Sequence, residues 1–141
     1  MRGLILCTMI LLVGFGNSFG RIHGWKGAVH LSAVPFIATT GIYSDVKMLQ
    51  DAQRNGTKAG AITNLSLLAV QTGLGATILF TSDDLPPVVR LIHHIVGAGV
   101  VASALWISIA GTRDPGVTNG TRNTAYAHTV LAAAPLILFT F

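Results

Sequence analysis

Charge is what this chain has least of. Only 10% of its 141 residues are charged, whereas a soluble domain averages about 25%. Too few ionic side chains remain to clothe a water-soluble globule. One cysteine, Cys7, excludes an internal disulfide and any multi-cysteine zinc or iron–sulfur site. It lies in an apolar run and reads as an inert thiol. No catalytic nucleophile constellation, phosphate loop or paired carboxylate appears, which leaves independent enzymatic activity without a basis. The formal net charge of +4 is not a nucleic-acid footprint, because the basic residues are scattered between apolar runs. They report on membrane topology instead. What the chain does have is apolar length: 51% of residues are hydrophobic and the mean hydropathy is +0.64.

That length is divided into segments. Residues 3–19 form an apolar stretch behind Arg2 and run into the small residues Gly16, Ser18 and Gly20. Residues 1–20 therefore read as a secretory signal or as an N-terminal membrane anchor helix, and either places residue 21 on the outer side. Residues 21–141 hold four further segments, at about 25–48, 57–81, 86–111 and 122–141. Each is of the order of the ~20 residues that span a bilayer. Between them stand turn signals: Arg54-Asn55-Gly56, then Ser82-Asp83-Asp84 before Pro86-Pro87, then Asp114-Pro115-Gly116 and Asn119-Gly120. Prolines at 86 and 87 suit a helix's first turn, where no backbone donor is missed. Short connections make sequential helices antiparallel neighbours. The expected fold is an all-α membrane protein, an up-down four-helix transmembrane bundle preceded by the apolar signal or anchor helix.

Lysine and arginine set the orientation. The first connection carries Lys47, Arg54 and Lys58, and the third carries Arg113 and Arg122, whereas the second carries Asp83 and Asp84. The first and third connections are thus expected on the inner side, with the core's N-terminus and the C-terminus outside. Arg21 and Lys26 count against this orientation. Trp25 and Tyr43 read as interfacial anchors. Glycosylation sequons occur at Asn55, Asn64 and Asn119; two fall on the inner side and one inside a helix, so none is expected to be modified.

The chemistry lies in the histidines. His30, the pair His93-His94, and His128 sit on three different apolar segments, and an ionisable group in a membrane segment is by default a functional-site hypothesis. Several such segments are what a helical bundle needs to hold a metal-centred macrocycle, most often haem. His30 and His93 or His94 begin outer-side helices and share a depth. His128 falls near the opposite face. On a helical wheel, Ile92, Ile95, Trp106 and Ile109 cluster on a lipid-facing side, and His93 lies opposite with Gly97, Val100, Ala104 and Gly111. His94 points to a flank. Gly27, Val34, Ile37 and Gly41 share the His30 face. His30 with His93 is therefore the expected metal-ligating pair, with His94 as the alternative. His128 alone is as well explained by a helix–helix hydrogen bond, and His23 by an interfacial position beside Arg21 and Lys26.

A four-helix core with histidine on its first helix, His93-His94-x-x-Gly97 opening its third and His128 on its fourth resembles the ascorbate-reducible transmembrane cytochrome b superfamily. It is also similar to small membrane proteins of cyanobacteria and chloroplasts that share that core. The resemblance covers residues 25–141. It implies that His30 and His93 (or His94) ligate an outer haem b, and that His128 is half of an inner site. The second helix departs from the pattern: Thr57-Lys58-Ala59-Gly60 stands where its histidine is expected, which leaves the inner haem without its second ligand. Two functions follow. The first is a b-type cytochrome subunit passing electrons within a larger membrane complex, with other membrane subunits and a quinone as candidate partners. The second is a non-redox structural or chlorophyll-binding subunit. The bacterial inner, thylakoid and mitochondrial membranes are the candidate locations.

Overall fold

A computed structural model describes residues 25–81 and 85–140. Among these residues it holds four α-helices and no strand: α1 (Trp25–Asp51), α2 (Asn55–Phe80), α3 (Pro87–Thr112) and α4 (Asn119–Thr140). The apolar 1–20 segment, Cys7, His23 and the Asp83-Asp84 pair lie outside the described residues, as does the Trp25 side chain. Each helix packs on its two neighbours in a ring, α1 on α2 and α4, and α3 on α2 and α4. The α1–α3 and α2–α4 pairs are therefore the diagonals of a four-helix bundle.

Helix ends differ from the sequence expectation where side chains cap them. α4 begins at Asn119 rather than 122, because the Thr118 hydroxyl accepts the Thr121 amide hydrogen bond at 3.2 Å, the usual N-cap arrangement. α1 runs a turn past residue 48, and Lys47 pairs with Asp51 one turn on at 3.2 Å. α2 starts at Asn55 with no side-chain cap of its own. Asp114 does that work from the α3–α4 connection, accepting from the backbone N–H of Gln53 at 3.0 Å and of Arg54 at 2.9 Å. It also accepts from Gly116 at 3.1 Å. Burial by itself would raise the Asp114 pKa, but these backbone donors hold it down at about 2. Arg122 completes the clamp, donating to the carbonyls of Gly111 and Asp114, both at 3.0 Å. The two basic connections consequently lie at the same end of the bundle, tied to each other.

The interior combines apolar and polar side chains. Met48, Ala61, Ile107, Val117 and Ala125 form one buried cluster at the clamped end, and Leu68, Val100 and Ala132 a second. Ser44, Asp45, Asn64, Ser108 and His128 are buried with them. Large apolar side chains point outward instead, with Phe36 64% exposed, Trp106 59% and Val130 69%. A water-soluble bundle keeps its apolar stripe inward; this one also carries many large apolar side chains on its surface. α2 and α3 are each long and apolar enough to cross a membrane. α1 and α4 are long enough, but Ser44, Asp45 and Lys47 on the first and the run Asn119–Thr124 on the second make their clamped ends polar.

Candidate functional site

On α3, sequence and structure agree about which side faces inward. Ile92, Ile95, Trp106 and Ile109 are exposed, whereas Val100 and Ala104 are buried. His93 is accordingly half-buried and His94 exposed. His93 meets His30 across the α1–α3 diagonal, with ring centres 6.2 Å apart and planes inclined at 64°. His128, at a different level, joins neither. The two histidines expected to share a depth are brought together, and the third is kept apart.

Separation fits a shared metal. A metal bound to one nitrogen of each imidazole at about 2 Å would set the ring centres roughly 6 Å apart. Nitrogen direction is a second requirement, and here α2 intervenes. Gln71 Nε2 donates to His93 Nε2 at 3.2 Å, and Gly75, one turn on, lies beside the ring, where a Cβ would come within 3.3 Å of His93 Cε1. Ligation at Nε2 of a metal shared with His30 therefore requires His93 to release Gln71. That exchange is not resisted by a saturated network. His93 Nδ1 and Gln71 Oε1 are both buried with no hydrogen-bond partner among the described residues. Buried polar atoms are almost always paired, so the two contacting side chains keep capacity for a further group. The donor set suits a macrocycle held by two imidazoles. Elsewhere among the described residues, no three histidine, cysteine or carboxylate side chains gather to hold a bare ion.

A second polar site lies nearer the clamped end, and it joins all four helices through one amide. Asn64 on α2 donates from Nδ2 to Asp45 Oδ2 on α1 at 2.7 Å and contacts His128 Nε2 on α4 at 3.2 Å. Its Oδ1 accepts from Ser103 on α3 at 2.6 Å. Because the amide nitrogen can only donate, His128 Nε2 accepts and the ring's proton sits on Nδ1. Asp45 receives a longer bond from Ser44 at 3.4 Å. Gly41 makes room for the imidazole: a Cβ there would lie 2.6 Å from His128 Cε1. Among the described residues Asp45 forms no ion pair; the pair found there is Lys47–Asp51. The amide donates to both the carboxyl and the imidazole and so links them without relaying a proton between them. Sequence reasoning found His128 here but missed Asp45, Asn64 and Gln71.

No protein-family model, curated protein or solved structure matches the chain.

Proposed function

We propose that the chain is an integral membrane subunit of the b-type cytochrome kind, holding one haem b between His30 and His93. The observation that carries this reading is the meeting of those two imidazoles across the bundle diagonal at 6.2 Å, beside two unpaired buried polar atoms. The apolar surface supports the membrane, because exposed Phe36, Trp106 and Val130 favour lipid over water. Basic connections gathered at the clamped end support an inner-side location for that end, with the histidine pair toward the outer side. When bound, the haem would supply one-electron exchange. The chain's own part is to present two neutral imidazoles and to keep water from them. His128, hydrogen-bonded to Asn64 on the helix where a second histidine is missing, is assigned a helix-linking part rather than a ligand's. Electron transfer through this chain then ends at one haem, and a partner membrane subunit continues the path.

Purification of the full chain from a haem-replete host tests the reading by its reduced-minus-oxidised spectrum. An α-band should be present and should vanish in His30→Ala and in His93→Ala. A chain with no such band overturns the haem assignment. The second reading, a structural or chlorophyll-binding subunit, is favoured by one observation: the Gln71 contact already occupies His93 Nε2. It gains the field if the purified chain carries chlorophyll or no pigment.

A further inference from the structure

The lipid-facing side of the α2–α3 seam carries a groove that the histidine chemistry does not use. Two adjoining cavities of about 270 and 330 Å³ share Gly56 and Trp106 as walls. At the clamped end the mouth is formed by Arg54 and Arg113, with Ile109 as apolar wall. Away from it the trench runs past Gly60 to Ser103. Both arginines are exposed, and neither makes an ion pair among the described residues. Asp114, the nearby acid, is taken by backbone amides, and Arg122 is engaged with carbonyls. Arg54 and Arg113 are thus left at one mouth without an ion-pair partner among the described residues.

We propose that this groove binds the phosphodiester headgroup of an anionic membrane phospholipid, with an acyl chain laid along Trp106 and Gly60. Charge complementarity selects the headgroup. The trench selects a lipid over a soluble anion: it continues as a largely apolar channel walled by exposed Trp106 and Ile109, which a free phosphate would leave uncovered. Basic pockets between membrane helices on the inner side bind anionic headgroups in this way, and a tryptophan at the mouth sits at the interface it prefers. The proposal rests on the membrane reading of α2 and α3 and is independent of the haem.

Trp25 and Trp106 are the two tryptophans, so Trp25→Phe leaves Trp106 as the sole reporter in the full-length chain. Reconstituted in phosphatidylcholine vesicles, this variant is titrated with dibrominated phosphatidylglycerol or dibrominated phosphatidylcholine, and bromine quenching of Trp106 is read. Two arginines give an expected preference for the anionic lipid on the order of tenfold. R54Q/R113Q should bring it close to one, whereas R90Q, at the far end of α3, should leave it unchanged. A110F, which fills the groove wall and keeps both charges, should also reduce it, and decides the matter if the double variant fails to fold. Equal quenching by both lipids overturns the proposal and leaves the membrane reading standing. Quenching by neither overturns both. A preference that survives R54Q/R113Q, or one abolished by inorganic phosphate in the buffer, also overturns it.

Discussion

Replacing Asn64 by leucine removes a side chain that joins all four helices, and the cost can be worked from the contacts. Ser103 loses least, because the Val100 carbonyl lies 3.0 Å from its hydroxyl as an alternative acceptor. Asp45 Oδ2 and His128 Nε2 lose their donor and stay buried. A buried polar group left unpaired costs about 1–3 kcal/mol. Interhelical hydrogen bonds in membrane proteins average nearer ~0.6 kcal/mol, which sets the lower bound. For two orphaned atoms the expected loss is about 1–6 kcal/mol, with ~3 kcal/mol as the centre. The assay is unfolding of the full chain from dodecyl maltoside into sodium dodecyl sulfate, followed by helical circular dichroism. Asn64→Leu combined with Asp45→Leu should cost less than the two changes summed, since the second removes an orphan the first created. A loss within ~0.5 kcal/mol of zero, or strict additivity in the pair, would refute the view that this amide fastens the bundle.

Three further outcomes follow from the same geometry. Asp114 is held at about 2 against an ordinary 3.8, so its contribution is complete above about pH 4 and drains away as pH falls towards 2; Asp114→Asn should flatten that acid limb of a melting-temperature profile, and an unchanged limb would place the acid sensitivity elsewhere. His94→Ala should leave the reduced α-band intact because its side chain is exposed, and a band lost in that variant but kept in His93→Ala would reverse the ligand assignment. Cysteine at exposed Thr118 should react with an impermeant maleimide only from the inner side; labelling of intact cells from outside would invert the orientation.

The number and order of the helices could be read from the chain because their signals are local. Pro86-Pro87 and Asp114-Pro115-Gly116 interrupt apolar runs within a few residues of where α3 starts and ends. The inward side of α3 was equally legible, since Ile92, Ile95, Trp106 and Ile109 repeat at helical spacing and exclude His93 from their side. The amide at the centre was not. Asn64 stands in an apolar helix with nothing nearby to mark it, and its partners Asp45, Ser103 and His128 lie 19, 39 and 64 positions away. By sequence alone it was only a sequon, and Asp45 was one more polar residue near a helix end. Gln71 and His93 are 22 positions apart, again beyond any periodic signal. Asp114 was half legible: its turn is written beside it, but the backbone amides it fastens are 60 and 61 residues back. A buried polar side chain in an apolar bundle is worth little until its partner is known, because unpaired it destabilises and paired it fixes register. The search for such sites in sequences of this kind should therefore begin with the missing partner. Here the partner of His128 is Asn64, which gives the buried imidazole a hydrogen-bond donor from α2.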